Sequence, residues 1–192
     1  IAFAGGFVPD AFVVEGLHMV DADVTRMPGF GVHDNPLYSG RTLGPFTMTL
    51  AALLVGAAWN ALDEYETLLH ERTTALPPIV PRREDPDYQR YFGAALAKVS
   101  TAEAALLHCA DRHMELCREA HAEGRGVRHA DDIALGCIAR EVMVQVWETM
   151  QADVFRTVGS SAFRAGGRLE RLWRDLSMGN SHRNTTLRDW SF

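Results

Sequence analysis

The feature that most constrains the fold is a run of apolar residues spaced three or four positions apart across the middle of the chain. The run comprises Phe92, Leu96, Val99, Ala102, Leu106, Cys109, Leu116 and Ala120. This spacing places the apolar side chains on one face of a long α-helix. Asp85 followed by Pro86 predicts its start, because an aspartate caps the first turn and proline is tolerated there. Gly124 and Gly126 predict its end.

Three further segments have helical patterns. The first runs from Leu43 to Thr74, with Thr42 as a plausible cap, and the prolines at 77, 78 and 81 stop it. The others run from about Ala130 to Thr157 and from Arg168 to Met178. Short connections between helices favour antiparallel neighbours. We therefore predict a mainly α fold in which residues 43–192 form an antiparallel four-helix bundle.

Residues 1–24 have a different pattern, with short extended segments at Ala11–Glu15 and Leu17–Asp21. Two such strands cannot form a domain alone. We expect them to be the last strands of a β-domain whose other strands precede this sequence, since the first residue is Ile rather than Met. Residues 25–42, rich in Gly, Pro, Asn and Asp, are predicted to be a linker loop.

Composition argues against several classes of protein. The net charge of −6, with Lys98 as the single lysine, gives nucleic acid no electrostatic footprint. The most apolar run, Leu43 to Ala58, is shorter than the roughly 20 residues that span a bilayer. An odd number of cysteines without a CxxC pair predicts free thiols in a reducing cytoplasm. His108, Asp111 and His113 do not share one helix face, so we expect no metal site.

Two stretches carry a resemblance to a known family. A small-residue segment, Val55 to Glu64, continues to Arg72 and the proline-rich stop. Gly159-Ser160-Ser161-Ala162-Phe163 precedes a charged helix that ends in Arg174-Asp175. These stretches resemble the opening helix of the acyl-CoA dehydrogenase C-terminal domain, and its GGxGY loop with the following "ER..RD" helix. The resemblance covers the whole chain, and the two motifs occur in the family's order.

The resemblance implies a flavin site. In the family, the arginine at the position of Arg72 contacts the flavin phosphates, often across a subunit boundary. Gly159 and Ser160 would allow close backbone approach to a phosphate-bearing cofactor. From the residues alone, Arg72 could equally interact with the last carbonyls of its helix, and Gly159-Ser160 could be only a tight turn.

The departures from the family concern the catalytic base. The family's catalytic Glu falls at Arg183, and the alternative position, within Thr49 to Val55, holds no carboxylate. An arginine stays protonated and cannot abstract a proton from a thioester. The run that ends in Ser181-His182 resembles instead the two-component flavin-dependent monooxygenases of this fold. There, a histidine at this position lies beside flavin and substrate, and imidazole suits deprotonation of a phenol. The other interpretation of His182 is a surface histidine in a polar tail.

The sequence therefore predicts the oxygenase component of a two-component monooxygenase. It would use reduced flavin (FMN or FAD) and O2 to hydroxylate an aromatic or phenolic small molecule, with His182 as the catalytic residue. A separate flavin reductase would be its partner, and a homotetramer is expected. The alternatives are an acyl-CoA dehydrogenase-like oxidoreductase and a non-catalytic helical subunit of the same fold.

Overall fold

The computed structural model of the chain describes residues 5–12 and 23–182, and these residues are mainly helical. Helix α1 spans Pro28–Val32, α2 Leu43–Glu71, α3 Pro86–Ala122, α4 His129–Thr149 and α5 Arg168–Asn180. Helix α2 packs against α3, α4 and α5, and α3 also packs along α4. The prediction of a mainly α fold is therefore confirmed.

The region before α2 differs in part from the prediction. Within residues 5–12 and 23–182 there is no strand, only an isolated bridge between Thr73 and Pro81. The predicted strand Leu17–Asp21 and most of Ala11–Glu15 lie outside the described residues, whereas Ala11 itself belongs to a 3-10 turn. The predicted linker, residues 25–42, contains the short helix α1 and further 3-10 turns. Proline at the first position of α1 accounts for that helix, since its fixed φ suits a first turn.

The boundaries of α3 agree with the sequence signals. The Asp85 carboxylate accepts hydrogen bonds from the backbone N–H groups of Asp87 at 2.9 Å and Tyr88 at 3.2 Å. Pro86 is the first helical residue, as predicted. After the helix, Gly124 has a φ of 65°, which glycine adopts without steric cost. Local chemistry alone therefore determines where this helix begins and ends.

Helix α2 begins at the predicted residue but is capped differently. Thr42 makes no side-chain capping hydrogen bond. Instead, the Gly44 backbone N–H donates to Oδ1 of Asp132, at 3.0 Å. Asp132 lies in the first turn of α4 and is 1% exposed. Thr42 is the N-cap residue, as predicted, but a carboxylate distant in sequence accepts the first-turn N–H in place of its side chain. Helix α2 also ends at Glu71, earlier than the predicted Thr74.

The buried Asp132 makes stability depend on pH. Burial raises the pKa of this carboxyl above its ordinary value of 3.8, although the hydrogen bond from Gly44 opposes the rise. The folded state therefore binds the proton more tightly than the unfolded chain. The contribution of Asp132 to the stability of the fold is complete below about pH 3.8 and is lost as the pH rises through the pKa of the folded state.

His113 acts in the opposite sense. Its ring Nε2 lies 3.4 Å from the Cys117 Sγ, and burial lowers the pKa of the imidazole below 6.5. Its contribution to stability is therefore present above pH 6.5 and is lost as the pH falls through the folded pKa. Between pH 3.8 and 6.5, a rise in pH therefore weakens the stabilising contribution of Asp132 and strengthens that of His113.

We expect Asp132→Asn to be at least as stable as the native protein at pH 7. Its amide oxygen still accepts from Gly44, while the buried charge is gone. Asp132→Ala leaves that N–H without a partner and should lower the free energy of unfolding by about 1–3 kcal/mol. Urea denaturation at pH 5 and 7 measures both, with the exposed Asp111→Asn as the control. Equal losses in the Asn and Ala variants would show that the charge, not the hydrogen bond, stabilises the α2 terminus.

Helix α4 does not continue as a regular α-helix to its predicted end at Thr157. A π-helical turn, Met150–Phe155, follows it, and the Arg156 N–H donates to the Gln151 carbonyl at 3.2 Å. Beyond it, the Thr157 hydroxyl hydrogen-bonds with the Tyr65 hydroxyl at 2.6 Å. Burial raises the pKa of Tyr65, which stays neutral. The segment that follows the π-helical turn is thus hydrogen-bonded to α2. Such π-helical turns often occur at functional sites.

Helix α2 is long and apolar enough, by length and composition alone, to cross a membrane. Its apolar side chains nevertheless form the core with α3, α4 and α5, including Ala51, Ala58, Ala61 and Leu62, which are at most 2% exposed. We interpret α2 as a core helix. The three cysteines are free, and Cys109 and Cys117 are buried, as the sequence predicted.

Candidate flavin site

The chain after α2 folds back on itself and brings two arginines together. Arg72 directly follows the last residue of α2 as its C-cap, and its carbonyl accepts the Arg82 N–H at 2.9 Å. The Thr74 N–H donates to the Val80 carbonyl at 2.9 Å. The prolines between these residues favour such a tight reversal. Arg72 and Arg82 therefore lie side by side at the C-terminal end of α2.

Arg82 joins this reversal to the loop after α4. It is 8% exposed, and its Nε donates to the Thr73 carbonyl at 3.1 Å. Its Nη1 donates to the Val158 carbonyl at 2.8 Å, immediately before Gly159. Gly159 has a φ of 89°, a conformation that residues with a Cβ rarely adopt. The positive φ at position 159 thus favours glycine, the residue that was predicted to approach the cofactor.

Arg72 reaches the same loop from the other side, because its Nη1 donates to the Ser161 Oγ at 2.8 Å. An open cleft of about 480 Å³ lies here. We call it the arginine cleft; it is lined by Glu71, Arg72, Thr73, Arg82, Ser161 and Arg164. The structure therefore brings Arg72 and Gly159 to one place, with the exposed Ser160 beside them in the turn Ser160–Ala162.

The arginine cleft fits an anionic group. Three guanidinium groups line it against one carboxylate, that of Glu71. Two N–H groups of Arg82 already donate to backbone carbonyls. Arg72 and Arg164 are therefore better placed to bind a phosphate. Sequence reasoning missed Arg82 and Arg164. Two arginines distant in sequence carry no local signal that they share a cleft with Arg72.

His182 lies at the other end of α2. It follows the end of α5, where the His182 N–H donates to the Gly179 carbonyl at 3.2 Å. A Cβ at Gly179 would overlap the Leu54 side chain, so this glycine lets α5 approach α2 closely. The His182 ring centroid lies 6.4 Å from that of Phe46, and both side chains are exposed in the single chain. Among the described residues, His182 therefore lies at the surface beside Phe46.

His182 and Arg72 are far apart within one chain. Phe46 is in the first turn of α2, whereas Arg72 follows its last residue. At about 1.5 Å of rise per residue, the two ends of the segment are about 40 Å apart. One flavin cannot touch both residues of the same chain. Arg183, the position of the family's catalytic carboxylate, lies outside the described residues.

Among the described parts of the chain, no three His, Cys, Asp or Glu side chains come together as a metal site would require. His113, one of the three residues considered from the sequence, is instead buried beside Cys117.

The family profile described as "Acyl-CoA dehydrogenase, C-terminal domain" matches residues 48–186. No curated protein matches the sequence significantly.

Three of the solved structures to which the chain is similar are described here in turn. 3-HSA hydroxylase from Rhodococcus sp. RHA1 shares 20% identity with a TM-score of 0.68, covering 82% of this chain and 39% of that one. XiaF from Streptomyces sp., in complex with FADH2 and glycerol, shares 15% with a TM-score of 0.70, covering 84% and 38%. HsaA monooxygenase from M. tuberculosis shares 18% with a TM-score of 0.67, covering 82% and 39%. At these identities the similarity establishes a shared fold, and the chain spans less than two fifths of each relative's length.

Proposed function

Since this chain belongs to the acyl-CoA dehydrogenase C-terminal domain family, we propose that it is part of the oxygenase component of a two-component, reduced-flavin-dependent monooxygenase. The proposed substrate is an aromatic or phenolic small molecule, and a separate reductase supplies the reduced flavin. The antiparallel four-helix bundle predicted for residues 43–192 is part of this proposal.

The observation that carries the proposal is the arginine cleft. Arg72 and Arg164 present guanidinium groups around the glycine turn at Gly159, which suits the phosphate of a flavin cofactor. Similarity in fold to a hydroxylase, a monooxygenase and a protein that binds FADH2 supports the same assignment. The bound reduced flavin would supply the activation of O2.

The residues at the other end of α2 would act on the substrate. The His182 imidazole would accept the proton of a phenolic hydroxyl, since hydroxylation is easier from the phenolate. The neighbouring Phe46 ring would cover the substrate ring and help to exclude water. Both side chains are exposed in the single chain, so another part of the protein or another subunit would enclose them.

The separation of His182 from Arg72 supports a site that is shared between chains. With about 40 Å between the two ends of α2, a flavin held by Arg72 of one subunit would face His182 of another. Leu53, Leu96, Leu107 and Ile138 are at least 39% exposed, and they offer apolar surface for such an assembly. We therefore propose that the functional protein is a homo-oligomer.

We expect the full-length protein to be a homotetramer in solution. Burial of the exposed apolar side chains in subunit contacts would stabilise it. Light scattering coupled to size exclusion measures the mass. A monomeric full-length protein would contradict both the assembly and the shared site.

The runner-up is a flavin-dependent dehydrogenase of thioesters, which the family membership itself favours. Residues 49–55, near Phe46 on α2, contain no carboxylate that could act as its base. A non-catalytic helical subunit is the third candidate.

The experiment that separates the three uses the full-length protein, reduced FMN or FAD and 18O2. A panel of phenols that includes 4-hydroxyphenylacetate tests the monooxygenase, and mass spectrometry should show one 18O atom in the product. Oxidation of acyl-CoA thioesters without oxygen incorporation would favour the dehydrogenase. Absence of flavin binding would favour the non-catalytic subunit.

A further inference from the structure

The start of α2 is hydrogen-bonded to the start of α4 at three points. The Ser39 carbonyl accepts from the Val127 N–H at 2.8 Å, and the Arg41 Nε donates to the Val127 carbonyl at 3.1 Å. The third contact is the hydrogen bond from the Gly44 N–H to the Asp132 carboxylate, at 3.0 Å. Together they fix the path by which the chain enters α2, because they join it to a segment far along the chain.

The contact between Gly44 and Asp132 is close and enclosed. Gly44 is buried, and Asp132 is 1% exposed. A Cβ at position 44 would lie 2.6 Å from the Asp132 Oδ1, which is closer than real Cβ atoms approach. The missing side chain therefore lets the carboxylate reach the first turn of α2, where the positive end of the helix dipole favours negative charge.

The segment before α2 also packs against α3. A Cβ at Gly40 would lie 3.0 Å from the Cys117 Sγ and 3.2 Å from the His113 Cε1. Both of these α3 residues are buried. The position of the first turn of α2 is therefore set by packing against α3 and by the hydrogen bond from α4.

Phe46 lies two residues after Gly44, in the same turn. Its N–H donates to the Thr42 carbonyl at 3.0 Å. Its ring centroid lies 6.4 Å from that of His182, at an interplanar angle of 56°. Phe46 is 46% exposed, so the packing around its ring holds it only in part. The direction of the ring therefore depends on the turn that carries it.

From this arrangement we propose that Asp132 is a positioning residue, which holds the first turn of α2 and thereby sets the Phe46 ring beside His182 for contact with the substrate ring. This role rests on the proposed function, in which Phe46 covers the substrate and His182 accepts its proton. Asp132 is buried and would act through the Gly44 N–H. Its loss should therefore change how the substrate is held and leave the reaction of flavin with oxygen intact.

The test compares the kinetics of full-length variants on the phenol of the panel that the native protein hydroxylates fastest. Asp132→Ala should raise the KM for that phenol about two- to tenfold, the usual contribution of one aromatic contact. It should also divert more of the consumed oxygen to hydrogen peroxide. Asp132→Asn, whose amide oxygen still accepts from Gly44, should keep the native KM. Gly44→Ala should behave like Asp132→Ala, because its methyl group would displace the carboxylate.

Two measurements separate positioning from a merely structural role. In a Phe46→Ala background, Asp132→Ala should leave the KM unchanged, since the ring that it positions is gone. Hydrogen exchange in residues 44–47 should be faster in Asp132→Ala than in the native protein, and native in Asp132→Asn. Gly56→Ala is the matched control, because an added Cβ at this other glycine of α2 meets no atom within 4 Å. It should leave both the KM and the exchange rates unchanged.

The outcomes distinguish this role from the proposed function. If Asp132→Ala and Gly44→Ala keep the native KM and coupling, the positioning role is wrong while the proposed function stands. The same conclusion holds if Asp132→Ala raises the KM equally with and without the Phe46 ring, or if it leaves exchange in the first turn unchanged. If the native protein hydroxylates none of the phenols, the proposed function and the positioning role are both wrong.

Discussion

Replacing His182 with alanine should lower the rate of substrate hydroxylation by about 10²–10⁴-fold, the usual contribution of a general base. The variant loses the proton acceptor for the substrate hydroxyl but keeps the arginine cleft, which lies at the other end of α2. Flavin should therefore still bind and oxygen should still be consumed. Without efficient transfer to substrate, the reduced oxygen should be released as hydrogen peroxide.

The measurement compares oxygen uptake, hydrogen peroxide and hydroxylated product in one reaction of the full-length protein. His108→Ala is a matched control, since His108 is an exposed histidine on α3. His182→Gln keeps a hydrogen-bonding side chain without a useful base and should be uncoupled like the alanine variant. Native rate and native coupling in His182→Ala would make His182 a residue of the polar tail with no catalytic role.

The second large effect concerns Arg72. Arg72→Ala should weaken reduced-flavin binding by about one to two decades, because a charge-assisted hydrogen bond contributes about 1.5–3 kcal/mol. Arg72→Lys should recover only part of the affinity, since lysine keeps the charge but not the planar fork. Anaerobic fluorescence titration of the full-length protein gives the affinities. Circular dichroism checks that the helix content is unchanged.

A matched control separates a local contact from overall charge. Arg112→Ala also removes one arginine, but Arg112 is paired on the surface of α3 with Glu115 and Glu119. It should leave flavin affinity at the native value. If Arg72→Ala binds flavin like the native protein, Arg72 serves only the end of α2, where it hydrogen-bonds with Ser161.

The elements that the sequence predicts well are those controlled by neighbours in the chain. Helix α3 begins at Asp85-Pro86 because that carboxylate accepts the N–H groups of its own first turn. It ends before Gly124 because only glycine adopts that positive φ without cost. The apolar spacing of three and four likewise predicts the buried face, including Val99 and Cys109, which are fully buried.

The candidate site is predicted only in part. The two motifs locate Arg72 and Gly159; Arg72 lines the arginine cleft, and Gly159 lies beside Arg82, which also lines it. The same motifs do not reveal that Arg82 holds the two loops together through the Thr73 and Val158 carbonyls. The hydrogen bond to Val158 joins segments far apart in sequence, and the spacing of apolar residues along the chain does not predict such a contact.

By itself, then, the sequence determined the helical segments, their main boundaries and the residues that bear the family motifs, because local hydrogen bonds and side-chain periodicity decide them. The tertiary structure alone decided which distant groups meet. The Asp132 carboxylate, rather than the side chain of the N-cap residue Thr42, accepts the Gly44 N–H, since only packing of α4 against α2 brings it there. Packing also formed the arginine cleft at the end of α2. It separated Arg72 from His182 along the length of α2, because a helix is rigid and its two ends cannot approach each other.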